Sequence, residues 1–427
     1  MRKWLLLSLL LLLLEGNPGV PEKSQVFWGN GPALAQGANL EPLVQLDFPV
    51  SITFQLRARA PAEITSVVLS IWVDRIGPFE EVLERHPSFT SAKDVEASWT
   101  WDMRKVGGLP PGTGLSYSWT VQDASEMKQQ TERTSFQFDD TRFRWSLLEA
   151  DNVKLFWYQG DEAFARQLLQ AAQEALAKLR QDTGAELGRE VKIYIYNGTK
   201  ALQDARIFPQ VWEGGVAFPE YGIIAIGITP ANLSWGKGAV AHELAHQVTY
   251  QVTYSPYSDL PTWLDEGLAM YAQGELPPEQ ALSLTQAAEE GRLFSVRSLA
   301  SAFPADPSQA RLAYAQSESL VEFLLESRGR DGITAFLQAF RDGVGYEEAL
   351  KGVYGLGVEG LDTAWREYLG AATSAPAQAP APAPTPKPRS FPSLVSCRAG
   401  ATQGIDLGSL LGLLLGTALV LRRRRNT

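Results

Sequence analysis

Apolar and polar positions alternate with a period of two through residues 40–138. Val50, Ile52, Phe54 and Leu56 form one such run. Residues 67–73, 97–101 and 115–121 form others, each rich in β-branched or aromatic side chains. This period puts every second side chain on one face of an extended chain, so each run predicts a half-buried strand. Leu109-Pro110-Pro111-Gly112-Thr113 reads as a turn feeding the last of them. Short strands at this spacing predict a β-sandwich of immunoglobulin or fibronectin type over residues 40–140.

From residue 143 the period changes. Residues 153–158 and 191–196 read as strands. Between them Phe164, Leu168, Leu169, Ala172, Leu176 and Leu179 recur at helical spacing and predict a helix over 162–181. Two more strand-like segments follow at 214–218 and 221–226. A helix is predicted over 237–251, with Ser234 as N-cap and Val240, Leu244 and Val248 as its core stripe. The next helix starts at Pro261-Thr262-Trp263-Leu264-Asp265, where Thr262 is placed to cap and Asp265 to reach back to the free N–H groups. Residues 277–369 read as helical, with breaks near Gly291, Pro304 to Pro307, Gly329, Gly343 and Gly355 to Gly357. An α+β region over 143–372 with a helical C-terminal half is therefore expected to follow the sandwich.

At 427 residues and 45% hydrophobic content the chain is long enough to bury two cores. Its ends read differently from its middle. Arg2 and Lys3 precede an apolar run over 4–14, which predicts a signal peptide within residues 1–20 and hence export, although no small-residue cleavage triplet directly follows. Residues 373–395 are rich in Ala and Pro, cannot form a core, and read as an extended stalk. Residues 405–421 are apolar apart from Asp406 and are followed by Arg422 to Arg425. A helix there spans about 25 Å, short of the roughly 30 Å bilayer core, a gap that local thinning and arginine snorkelling can cover. The arginines hold that end in the cytoplasm, so the expected location is the cell membrane with the rest of the chain outside. Together with Cys397 this layout also resembles the three-part C-terminal sorting signals of bacterial surface proteins. Cys397 is the only cysteine, which excludes an intramolecular disulfide. The net charge of −10, with its one basic cluster at 422–425, argues against a nucleic-acid partner.

Candidate chemistry is concentrated in two stretches. In His242-Glu243-Leu244-Ala245-His246 the histidines lie one helical turn apart on one face, so their rings can converge on one metal ion. Glu243 lies beside them, where its carboxylate can take a proton from water at that metal. The chain has only three histidines, and this motif uses two. The third, His86, falls in a polar loop and is expected to be solvated. A third metal ligand is sought in Trp263-Leu264-Asp265-Glu266-Gly267-Leu268-Ala269. Asp265 and Glu266 point about 100° apart on a helix, so one of them faces the metal; Glu266 is favoured and Asp265 is the alternative.

The two stretches resemble the gluzincin zinc metallopeptidases, in particular the peptidase MA-like proteins of bacterial surfaces and more distantly the thermolysin-type and aminopeptidase-type enzymes. The resemblance covers most of residues 143–372 and implies a thermolysin-like zinc peptidase domain. It implies Zn(2+) bound by His242, His246 and Glu266, with Glu243 as general base and acid. The strand after Gly214-Gly215 would edge the cleft and pair with an extended peptide or protein substrate. By resemblance to the aminopeptidase branch, Tyr314 is the candidate donor to the oxyanion, with plain core packing as the competing expectation. The branch's Gly-x-Met-Glu-Asn motif for a free N-terminus is absent, which favours internal cleavage unless Glu213 or Glu220 substitutes. Where thermolysin-type sites have an Asp that orients a ligand histidine, this chain has Met270, so that partner is unassigned. Two other functions stay open: a surface-binding or adhesion protein built on an inactive peptidase scaffold, and a zinc hydrolase acting on something other than peptides.

Overall fold

The computed structural model describes residues 25–28, 38–77, 80–209 and 214–371. The signal-peptide run, the stalk, Cys397, the 405–421 helix and its arginines lie outside the described residues. Among the described residues no helix is long and apolar enough to cross a membrane.

The N-terminal half is a β-sandwich-like assembly of β1 (Gln25–Trp28), β2 (Asn39–Asp47), β3 (Ser51–Val73), β4 (Val82–Arg85), β5 (Ala92–Asp102), β6 (Thr113–Asp123), β7 (Lys128–Gln130) and β8 (Thr134–Phe138). The runs around 50–56 and 67–73, expected as separate strands, belong to the single 23-residue strand β3. Its first part pairs with β2 and β5 and its second with β6 and β4. Pro61 lies in the gap between the ladders, where the register shifts between Arg59 and Ile64. A residue without an N–H is tolerated there because, among the described residues, no partner strand pairs with it. The two leaves face each other through rings: Phe54 lies 5.3 Å from Tyr117 and 6.1 Å from Phe136.

The second half holds β9 (Ser146–Ala150), β10 (Val153–Trp157), α1 (Glu162–Thr183), β11 (Val191–Tyr196), α2 (Thr199–Gln203), β12 (Gly215–Phe218) and β13 (Ile223–Gly227). The strands form a sheet in the order β12-β13-β11-β10-β9, with a parallel centre and antiparallel edges at β9 and β12. Alternate residues of β11 serve two cores. Val191, Ile193 and Ile195 pack toward the helices, while Tyr194 and Tyr196 pack with the β-sandwich. The junction also buries Asp140, whose carboxylate accepts hydrogen bonds from Arg142 at 2.8 and 2.6 Å and from the Tyr196 hydroxyl at 3.1 Å.

On the helical side come α3 (Leu233–Thr253), α4 (Thr262–Gln273), α5 (Pro278–Glu289), α6 (Val296–Leu299), α7 (Pro307–Arg341), α8 (Tyr346–Tyr354) and α9 (Val358–Tyr368). The α3 helix starts earlier than its apolar stripe suggests, and Asn232, not Ser234, is its N-cap residue. Val240, Leu244 and Val248 are fully buried, and the Gln247 amide donates to the Ile223 carbonyl at 2.8 Å, tying the helix to β13. The capping arrangement expected for α4 is not formed. Pro261 is the N-cap residue without a side-chain bond, and Thr262 donates to the Ala300 carbonyl instead. Within α7 the helix breaks at Gly329, with φ 62°.

At Gly267, α4 meets α7 backbone to backbone: a Cβ there would stand 2.3 Å from the Ser317 carbonyl oxygen. Only a residue without a side chain permits this approach, so Gly267 offsets its poor helix propensity by letting two helices close. Gly267→Ala is expected to destabilise the fold by about 1–3 kcal/mol. A thermal midpoint equal to that of the parent chain would show that the helices separate without cost.

Candidate metal centre

The site is built from α3 and α4. Because α3 is packed on nearly every side, His242, Glu243, Leu244 and Ala245 are all buried, which is unusual for polar side chains and demands partners. Helical spacing brings the rings of His242 and His246 to 4.9 Å between centroids, with their Nε2 atoms 3.2 Å apart. Glu266, 6% exposed, reaches in from α4. Its Oε2 lies 3.5 Å from His242 Nε2 and 3.6 Å from His246 Nε2.

These three separations test whether a metal fits. Ligand atoms at about 2.0–2.1 Å from a tetrahedral ion stand about 3.3–3.4 Å from one another. The triangle has sides of 3.2, 3.5 and 3.6 Å. Two imidazole nitrogens and a carboxylate oxygen are the donors of zinc hydrolase sites, and this is the group among the described residues whose ligand atoms converge in this way. Glu266 Oε2 is also buried without a hydrogen-bond partner, which a cation would satisfy.

The electrostatics agree with the donor set. Burial drives the Glu266 carboxyl up to about 7, against the pull of His246. Burial is also the largest influence on His246 and acts to lower it. The carboxylates of Asp265, Glu266 and Glu243 together outweigh it and hold the imidazole up at about 10.

Asp265 is the residue that sequence reasoning misplaced. Its carboxylate does not cap α4; Oδ2 stands 3.0 Å from His246 Nδ1, on the side of the ring away from the triangle. Adjacency to Glu266 was the only sequence signal for this. Glu243 is 5% exposed, and Gly215 on β12 closes over it: a Cβ at that position would meet Glu243 Oε1 at 3.1 Å. The edge strand thus runs against the carboxylate. Tyr314, 1% exposed, extends from α7 with its ring 6.4 Å from that of His242 and edge-on to Phe303 at 5.2 Å. Glu220 is exposed and lies near Arg75 and Tyr221, at the junction with the sandwich. Glu213 lies outside the described residues. His86 is exposed beyond the end of β4, in a loop as expected.

Residues 171–371 match the family model of the Peptidase MA superfamily. No curated protein matches the chain. Among solved structures, OgpA from Akkermansia muciniphila is similar at 14% identity and a TM-score of 0.17, over 25% of this chain and 29% of that one. Legionella pneumophila aminopeptidase A, solved with aspartic acid, is similar at 12% identity and a TM-score of 0.33, over 75% of this chain and 49% of that one. An M1 zinc metallopeptidase from Deinococcus radiodurans is similar at 15% identity and a TM-score of 0.31, over 83% of this chain and 96% of that one. The chain thus spans less than a third of the first of these and about half of the second.

Proposed function

We propose that this protein is an exported, membrane-tethered zinc metallopeptidase that cleaves within peptide chains. The observation that carries the reading is the buried His242, His246 and Glu266 triangle, whose sides suit tetrahedral coordination. The match of residues 171–371 to the Peptidase MA superfamily model supports the substrate class. His242, His246 and Glu266 would hold the ion. When bound, zinc supplies Lewis acidity toward a carbonyl and toward water.

The rest of the chemistry belongs to side chains. Glu243, buried beside the histidines, accepts a proton from the attacking water and returns it to the leaving amine. Tyr314 donates a hydrogen bond to the oxygen on which negative charge develops. The strand β12, at the end of the sheet and passing over Glu243, would pair with an extended peptide. Glu220 lies beside Tyr221 near the domain junction, which supports internal cleavage over recognition of a substrate amine by that residue.

The finer fold and domain assignments accompany this reading. They are an immunoglobulin- or fibronectin-like sandwich over 40–140, a thermolysin-like catalytic domain over 143–372, a signal peptide, a stalk and a C-terminal membrane or sorting helix. Face-to-face leaves and a sheet backed by helices support the first two; the flanking basic residues and apolar runs support the targeting segments.

Three outcomes follow. The purified chain is expected to hold about one zinc per molecule, with loss or weakening in Glu266→Ala; Glu243→Gln should keep zinc and lower peptide turnover by about 10²–10⁴-fold. A folded wild-type chain that takes up no supplied zinc would remove the metallopeptidase reading. Tyr314→Phe should reduce kcat by about 10²–10³-fold with zinc content unchanged, and an unaltered kcat would return Tyr314 to core packing. Intact mass of the mature protein should show the N-terminal apolar run removed; its retention counts against export. The same measurement decides between anchor and sorting signal by whether Arg422 to Arg425 remain.

A further inference from the structure

We propose that Asp265 is a positioning residue for the metal centre: its carboxylate takes the Nδ1–H of His246 and so keeps the Nε2 lone pair turned toward the ion. This rests on the reading of His242, His246 and Glu266 as metal ligands. A neutral imidazole carries one proton and one in-plane lone pair, so a ring that coordinates through one nitrogen must be protonated on the other. For His246 the choice of nitrogen is set by geometry. Nε2 lies 3.2 Å from His242 Nε2 and 3.6 Å from Glu266 Oε2, inside the donor triangle. Nδ1 therefore carries the proton, and it needs an acceptor.

Asp265 supplies that acceptor. His246 Nδ1 is buried, and no well-aligned hydrogen bond reaches it among the described residues, yet Asp265 Oδ2 stands 3.0 Å away. The present approach is oblique, in range but off the line of the N–H. The Asp265 side chain, 34% exposed, has room to turn onto that line once the ring is fixed through Nε2. The carboxylate has no competing task at the helix start, where Pro261 is the cap residue and no side-chain bond is made.

The arrangement follows from one feature of helix geometry. Consecutive residues on α4 point about 100° apart, so Glu266 and Asp265 diverge and reach the two opposite nitrogens of a single ring. One element delivers both the ligand and the group that orients its neighbour. Since α4 is set by the close contact of Gly267 with α7, ring orientation and ligand placement are fixed together. A carboxylate behind a ligating histidine also raises the basicity of the coordinating nitrogen, which strengthens its bond to the ion.

The test is zinc affinity of the full chain, by competition with a chelator, in wild type, Asp265→Ala, Asp265→Asn and Glu266→Gln. Loss of the acceptor in Asp265→Ala should weaken zinc binding by about 10–100-fold, whereas Asp265→Asn, whose amide oxygen still accepts, should stay within about threefold of wild type. A purely structural role of the residue would not distinguish these two variants by their acceptor. With only three histidines in the chain, ¹⁵N spectra of the zinc-loaded wild type report the tautomer directly. His246 should be metallated at Nε2 and protonated at Nδ1, a readout that stands even if Asp265→Ala does not fold. Zinc affinity lost in Glu266→Gln but unchanged in Asp265→Ala would overturn the role of Asp265 alone, as would metallation of His246 at Nδ1. A wild-type chain without zinc affinity would overturn the metal reading and this proposal with it.

Discussion

Burying charge is costly unless opposite charge is supplied, and this protein gathers two imidazoles and a carboxylate where water hardly reaches. Their donor atoms stand 3.2–3.6 Å apart, a spacing that suits one shared cation. Burial displaces Glu266 upward, and the carboxylates around His246 displace it upward in spite of burial. Much of the helical half can be understood as a scaffold that keeps these groups together. The α3 helix is clamped to the sheet by Val240, Leu244 and the Gln247 bond to β13. The α4 helix is drawn against α7 at Gly267, one residue from the ligand carboxylate.

The central sheet links this scaffold to the β-sandwich. Because side chains alternate along a strand, β11 sends isoleucines into the helical layer and tyrosines into the sandwich, so the sandwich core is completed by residues of the second half. The buried Asp140, gripped by Arg142 and Tyr196, is the polar counterpart of that shared surface, and its full set of hydrogen bonds is what makes its burial tolerable. The N-terminal module is thereby part of the platform that orders β13, β12 and, through them, the approach to Glu243.

Local patterns were legible wherever the physics is local. The apolar positions of α1 and α3 recur with the helical period, and the side chains so marked are buried or nearly so. The strands β10 and β11 fall within a residue of their runs of β-branched and aromatic side chains. Errors arose where a local signal met a distant partner. Residues 50–56 and 67–73 read as two strands, yet the single strand β3 runs through both because its neighbours change near Pro61. Thr262 and Asp265 have the composition of a helix cap, yet the first bonds Ala300 and the second turns to His246.

By itself the sequence determined what depends on a few residues of separation: the strand and helix periods, and the convergence of His242 and His246, which any helix through those positions must produce. Tertiary structure alone decided which carboxylate of Asp265 and Glu266 meets which nitrogen, that Gly267 is a contact between helices, and that Gly215 lies over Glu243. Each of these depends on how elements far apart in the chain are brought to within a few ångströms of each other. That distance is set by summed packing of the two cores, and no spacing within a single segment encodes it.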